Sequence, residues 1–398
     1  MTQTVLAAPA VNSPVLDGVR DLLPKIRERA EECERGRVVP GESVEEIAQT
    51  GFFRVLQPQR YDGLEADPLT FYDGVRLIAS ADASTGWIAS VLSVHAWQIA
   101  LFPPAAQEAV WGSDTGTLVS SSYAPTGQAA AVDGGFLVSG RWSFSSGCDH
   151  ATWVLLGALV TGPDGQVVDF RTFLLPRSDY EVVDAWDTVG LAGTGSHDIQ
   201  VDGAFVPLDF TLSMADTGRC FGPGQAVNPG NLYKLPFHSL FTSAITTPII
   251  GMAQGAYADH VATQRTRVRA AYIGEKAVDD PFGNVRIARA ASEVDAAWAL
   301  LTSNIRELQG HVERDEPIPL QLRVKVRRDQ VTGTERAIEA IDLLFESAGA
   351  RALDRGCHLQ RVWRDAHAGR VHAANDPERA LRMYGAVELG QKLEPGMY

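Results

Sequence analysis

The hydrophobic period changes twice along these 398 residues, and that change limits the folds open to the chain. Up to about Gly112 the apolar residues recur at helical spacing. Ser43-Val44-Glu45-Glu46 has the form of a capping box. Asp67-Pro68 sets a cap and a first-turn proline ahead of Leu69, Val75, Leu77 and Ile78. Residues 84–101 are apolar nearly all round, which predicts a buried helix. From about Thr115 to Leu212 short strand-like runs alternate with turns. Asp133-Gly134-Gly135 reads as a hairpin turn. Gly162-Pro163-Asp164-Gly165 separates two further runs, and Asp198-Ile199-Gln200-Val201-Asp202 precedes Ala204-Phe205-Val206-Pro207. After a Gly/Pro/Asn-rich bridge over 220–230, helical spacing returns from about Thr246, with long segments at 288–312 and 324–348. The expected fold class is multi-domain α+β, mainly α. A helical domain over 1–112 precedes a β-barrel or sandwich domain over 113–225 and a helical bundle over 226–398.

The chemistry of the whole chain excludes several partners. Acidic residues outnumber basic ones 49 to 35, a net charge of −14, which argues against a broad nucleic-acid face. The longest apolar stretches, such as 151–160, are far too short to span a bilayer. The stretch 1–14 has no basic region ahead of its apolar residues, unlike a signal peptide. Cys33, Cys148, Cys220 and Cys357 are scattered without a Cys-x-x-Cys pair, as expected of reduced thiols in the cytoplasm.

Several motifs carry candidate chemistry. Gly190-Leu191-Ala192-Gly193-Thr194-Gly195-Ser196 is glycine-rich, but a dinucleotide fingerprint needs a strand before it and a helix after it. A strand-like segment follows instead, so it reads as a structural turn. Trp142-Ser143-Phe144-Ser145-Ser146-Gly147-Cys148 offers small hydroxyls and backbone amides that suit a planar isoalloxazine ring. Alone, it is equally a Ser-rich strand end. Trp87 and His95, eight residues apart, can share a helix side, although a lone histidine in an apolar helix is usually core. Arg265, Arg267 and Arg269 are either a solvated face or a phosphate clamp suited to the guanidinium fork. Asp365, His367 and His372 do not have metal-ligand spacing, and no metal site is expected.

In Arg364-Asp365-Ala366-His367-Ala368-Gly369-Arg370-Val371-His372-Ala373-Ala374-Asn375-Asp376 the chain resembles the last-helix signature of the acyl-CoA dehydrogenase fold. In those dehydrogenases a glutamate removes the substrate proton; here Ala373 holds that position and cannot accept one. Further segments extend the resemblance. They include Gly51-Phe52-Phe53, Ser84-Thr85-Gly86-Trp87, Ser120-Ser121-Ser122-Tyr123-Ala124-Pro125, Val268-Arg269-Ala270-Ala271 and Asp279-Asp280-Pro281-Phe282. Together they are similar to the oxygenase components of two-component flavin-dependent phenol monooxygenases, the 4-hydroxyphenylacetate hydroxylase type. The nearest branch is the secosteroid hydroxylases of actinobacterial cholesterol breakdown.

That resemblance implies ortho-hydroxylation of a phenol to a catechol, with 3-hydroxy-9,10-secoandrosta-1,3,5(10)-triene-9,17-dione (3-HSA) as the expected substrate. It implies reduced FMN, with reduced FAD as the alternative, O2 as co-substrate, a separate NADH:flavin reductase and a homotetramer. Flavin contacts carried over are Trp87, Ser121, Ser122, Tyr123, Phe144, Ser145, Ser146, Ala350, Arg351, His372, Ala373 and, from a neighbouring subunit, Arg267. The catalytic group would be His95 at the phenol, Ser146 beside flavin N5 and His372 at the oxygen-reacting edge. The segment 389–398 departs from these relatives and carries no assignment. The rivals are an acyl-CoA dehydrogenase, which Ala373 opposes, a sulfur or nitrogen oxygenase on the same fold, and a non-catalytic flavin carrier.

Overall fold

The computed structural model describes residues 13–162, 164–269 and 274–393. The stretches 1–12, 270–273 and 394–398, together with Pro163, lie outside the described residues. Helices α1 (Pro14–Glu28), α2 (Ala30–Gly36), α3 (Gly41–Gln49), α4 (Pro68–Ala81), α5 (Ala83–Ile99) and α6 (Pro104–Trp111) come first. Strands β1 (Val119–Val132), β2 (Gly135–Ser145), β3 (Trp153–Thr161), β4 (Val167–Pro176), β5 (Glu181–Val183), β6 (His197–Pro207) and β7 (Thr211–Ser213) follow. After α7 (Met214–Gly218) and α8 (Phe237–Gln264) come the short strands β8 (Val268–Arg269) and β9 (Glu275–Lys276). The chain closes with α9 (Pro281–Glu313), α10 (Leu320–Ala348), α11 (His358–Arg370) and α12 (Pro377–Glu388).

Helix α5 is the spine of the molecule. Every residue from Ala83 to Ile99 is buried, as its all-round apolarity requires. The Asp82 carboxylate caps it, accepting from the Thr85 amide at 2.8 Å and the Thr85 hydroxyl at 2.7 Å. Asp67 caps α4 as expected, accepting from the Leu69 amide at 2.8 Å. The capping box at Ser43 does not form. Pro40 is the N-cap residue and α3 begins at Gly41, so Ser43 falls inside the helix and accepts from Arg29 instead, at 3.2 Å.

The middle strands form one seven-stranded mixed sheet, ordered β5-β6-β2-β1-β3-β4-β7. The 133–134 turn joins β1 to β2 with Val132 opposite Gly135. β1 and β3 run parallel, which brings the serines 120–122 alongside 154–156. The β2–β6 ladder slips between Trp142 and Ser145. At this bulge Phe144 takes φ 71°, rare for a bulky residue and often a marker of function. Helices α8, α9, α10 and α11 pack as the C-terminal bundle. α8 begins at Phe237 rather than near Thr246, because Phe237, Leu240 and Ala244 already bury its first turns. Among the described residues no helix is long and apolar enough to cross a membrane.

Candidate active site

Two histidines of opposite hydrogen-bonding character stand on α5 and on the turn between α11 and α12. His95 is 1% exposed, and its Nδ1 lies 2.6 Å from the Val119 carbonyl. A carbonyl only accepts, so Nδ1 carries the proton and Nε2 holds a bare lone pair. That Nε2 is buried without a partner. Burial pushes His95 down to about 4, only partly offset by the Val119 carbonyl, so the ring is neutral at pH 7. His372 is reversed: its Nδ1 accepts from the Ala374 amide at 3.0 Å, leaving Nε2–H as a donor. Burial, helped by the Arg327 charge, lowers it to about 4 as well.

The turn that holds His372 rests on a saturated polar network. Asn375 donates to the Gly369 carbonyl at 2.9 Å and accepts from Gln330 at 2.8 Å and Thr246 at 3.2 Å. Ala373 beside it is exposed and has nothing to titrate. The His372 ring meets Trp87 edge-on, centroids 5.9 Å apart. Trp87 in turn donates from Nε1 to the Ser146 hydroxyl at 3.2 Å.

Ser146 is half-buried on the loop after β2. Its Oγ lies 2.7 Å from Ser196 Oγ, and Ser196 lies 2.7 Å from Thr194 Oγ1. Both partners belong to the glycine-rich segment, whose role is largely structural. A Cβ on Gly190 would come within 2.3 Å of the Arg364 carbonyl, and one on Gly193 within 2.2 Å of Cys33 Sγ. Asp365 clamps the same loop, accepting from the Leu191 amide at 2.6 Å. Burial raises Asp365 to about 7, reinforced by nearby Asp82 and opposed by the Leu191 amide. Asp365, His367 and His372 therefore face three different partners, His367 being held on Asp342 at 3.0 Å.

The serine segments divide by burial. Ser145 is buried and donates to Ser120 at 3.2 Å; Ser122 donates to the Ser143 carbonyl at 2.8 Å. Ser121 is half-buried. Phe144 is 66% exposed and meets only Trp186 edge-on, at 6.0 Å. The Tyr123 side chain lies on the other face of β1 from Ser122, together with the Ser121 hydroxyl. It packs against Phe241 at 5.1 Å, Phe237 at 5.8 Å and His95 at 6.1 Å, and its hydroxyl donates to Gln98. Tyr123, counted with the flavin segment in sequence, has its side chain in the His95 pocket. The alternation along β1 explains this, since Ser122 and Tyr123 point to opposite faces. Gln98 leaves Nε2 buried without a partner there.

The basic residues form a separate patch. Arg267 approaches the Ser347 carbonyl at 3.5 Å, beside Gly349 of the 349–353 turn that carries Ala350 and Arg351. Burial, Arg269 and Arg351 all lower its pKa. Arg269 is held by Asp280 at 2.5 Å, and Arg265 is exposed. Arg267, crowded by Arg269 and Arg351, is the guanidinium that an anion would relieve. Thr194 and Ser196 were hidden in the sequence inside a segment that reads as a turn.

The residues present fit a flavin. A half-buried hydroxyl, an indole and an exposed aromatic at a bulge lie together and suit a flat ring, and an Arg cluster offers the phosphate a counter-charge. The acyl-CoA dehydrogenase profiles match on both sides of the sheet, the N-terminal domain over residues 14–115 and the C-terminal domain over 243–377. The fold and site thus define a flavin-dependent enzyme on the acyl-CoA dehydrogenase scaffold without that scaffold's carboxylate base. The flavin-dependent monooxygenase oxygenase subunit HsaA of Rhodococcus jostii RHA1 is 53% identical over 369 residues, covering 93% of this chain and 96% of its own length. Its counterpart from Mycobacterium tuberculosis is 50% identical, covering 96% of each. The crystal structure of 3-HSA hydroxylase from Rhodococcus sp. RHA1 superposes with a TM-score of 0.94 at 50% identity, covering 97% and 99% of the two chains. The chain belongs to the oxygenase subunits of two-component flavin-dependent monooxygenases, and as such depends on a separate flavin reductase.

Proposed function

We propose that the protein ortho-hydroxylates a phenol to a catechol, with 3-HSA as substrate and reduced FMN from an NADH:flavin reductase as cofactor. The reading places it in the cytoplasm as a homotetramer, with Arg267 reaching the flavin of a neighbouring subunit. The observation that carries it is the bare, buried Nε2 of His95, a neutral acceptor in an aromatic pocket. Trp87, Ser122, Phe144, Ser145, Ser146, His372 and Ala373 line the flavin side, with Ala350 and Arg351 near its phosphate. Ser121 and Tyr123, on the other face of β1, stand on the phenol side.

Bound reduced flavin would supply the electrons that activate O2. The chain's own task is the phenol proton. A free phenol near 10 facing a histidine near 4 makes transfer in the resting complex uphill by about 8 kcal/mol. His95 therefore accepts a hydrogen bond first. It takes the proton only as the ring carbon bonds to oxygen and the phenol acidifies, which is general-base catalysis in the transition state. His372 offers Nε2–H at the opposite edge. Ser146 and Trp87 stand at the flavin edge, where limiting water protects the activated oxygen.

The test is incubation with a generic flavin reductase, NADH, O2 and a panel of phenols including 3-HSA, read by mass spectrometry. Gain of one oxygen, labelled from 18O2, is expected, with 3-HSA turned over fastest. No oxygenated product from any phenol would overturn the reading, as would oxidation of butyryl-CoA by the same protein. Parallel binding of reduced FMN and reduced FAD distinguishes the two flavins.

A further inference from the structure

Three hydroxyls lie in a row between two groups whose roles are fixed. At one end the Trp87 indole N–H can only donate, and it reaches Ser146 Oγ at 3.2 Å. At the other end the Leu191 carbonyl can only accept, and Thr194 Oγ1 reaches it at 2.8 Å. Ser146, Ser196 and Thr194 are linked between these ends at 2.7 Å and 2.7 Å. Each hydroxyl has one proton to give. The Thr194 proton goes to Leu191, so Thr194 accepts from Ser196. The Ser196 proton is then committed, so Ser196 accepts from Ser146. One direction alone satisfies every group. Ser196 and Thr194 are 4% and 2% exposed, so water does not compete for these bonds, and aligned hydroxyls strengthen one another.

The consequence falls on Ser146. Its proton goes to Ser196, and one oxygen lone pair takes the indole hydrogen. What remains free for a ligand is the second lone pair. We infer that Ser196 and Thr194 are positioning residues that turn Ser146 into an acceptor toward flavin N5, so that the site selects the reduced flavin. Reduced flavin carries a hydrogen on N5 and can donate it. Oxidised flavin presents a lone pair there, which faces the Ser146 lone pair with no proton between them. This rests on the reading above that Ser146 stands beside N5. The chain also ends on a carbonyl, which is too weak a base to draw a proton away from N5 through the row.

The experiment measures anaerobic dissociation constants of oxidised and reduced FMN for the full-length assembled protein, with the midpoint potential of bound flavin as a second readout. The wild type binds reduced FMN more tightly. In Ser196→Ala the Ser146 proton is released and can turn to oxidised N5. The oxidised-to-reduced ratio of dissociation constants then narrows by about tenfold, chiefly through tighter oxidised binding, as one hydrogen bond replaces a repulsion. Thr194→Val has the same effect by freeing the Ser196 proton to face Ser146, and it serves if Ser196→Ala folds poorly. Ser196→Thr restores the wild-type ratio. A merely structural role weakens both flavin forms alike and leaves the ratio unchanged, which would overturn the inference. Ser146→Ala separates the two levels. If it narrows the ratio while Ser196→Ala and Thr194→Val do not, Ser146 touches N5 but the row does not orient it. If Ser146→Ala itself changes nothing, Ser146 is not beside N5, and both the reading and the inference fall.

Discussion

The two ends of the candidate site use their hydrogen-bonding capacity in opposite ways. At the Ser146 end the hydroxyls of Ser146, Ser196 and Thr194 are bonded in sequence, and the turn below His372 is saturated by Asn375, Gln330 and Thr246. At the His95 end, His95 Nε2 and Gln98 Nε2 are buried with no partner. An unpaired buried polar group costs about 1–3 kcal/mol. The fold tolerates that cost where a ligand supplies the missing bond and avoids it where a fixed scaffold is needed. In the proposed function the saturated end holds the cofactor in one orientation, and the open end receives the atom that reacts. Arg267, crowded by Arg269 and Arg351, belongs with the open groups, since an anion relieves it.

Removing the open acceptor has the largest expected effect. His95→Asn lowers the single-turnover hydroxylation rate about a hundredfold or more at pH 7, measured by rapid quench, while consumption of reduced flavin and O2 continues. Arg267→Ala comes next, weakening FMN binding about tenfold or more, the worth of a charge-assisted hydrogen bond. Riboflavin, which has no phosphate, should bind both proteins alike; equal loss for the two ligands would show that Arg267 supports the fold instead. At the saturated end Ser146→Ala raises the fraction of O2 released as hydrogen peroxide several-fold, read by a peroxidase-coupled assay, if Ser146 makes the proposed contact at N5.

The smallest effect is on stability. Asp365 is raised by burial to about 7 in the folded protein, against about 4 in the unfolded chain. Between those values the folded state holds the extra proton. This contribution is full below about pH 4, declines as pH rises, and is lost above about pH 7. Asp365→Asn keeps the acceptor for the Leu191 amide without the charge. It should raise the melting temperature at pH 8 by roughly 2 °C, with the gain vanishing at pH 4. A fall in melting temperature at pH 8 would mean that the charge is needed to hold the 190–196 loop.

The architecture was legible in the sequence because hydrophobic period survives in the fold. The all-apolar run of α5, the Asp67 cap and the 133–134 hairpin are local signals and appear where they were expected. Signals that compete locally misled. Ser43 has the letters of a cap, but Pro40 starts the helix three residues earlier. The first turns of α8 were missed because a segment buried on every side shows no period to mark its start. Trp87, His95, Ser146 and His372, the residues proposed for the site, could be named because each lies in a distinctive local string. Ser196 and Thr194 could not, since their meaning comes from a partner 50 residues away in sequence. Tyr123 was assigned by segment, whereas strand alternation sends its ring to the His95 side.

The central claim is that a neutral His95 takes the phenol proton during oxygen transfer, and the pH profile of single-turnover hydroxylation tests it most directly. With His95 lowered to about 4, the wild type stays in its neutral, accepting form across pH 6–9, and its rate is flat. His95→Asn starts far lower and climbs about tenfold per pH unit toward the ionisation of the free phenol, near 10, so the two profiles converge at high pH. Parallel, flat profiles of equal height would contradict the account and return His95 to the core of α5.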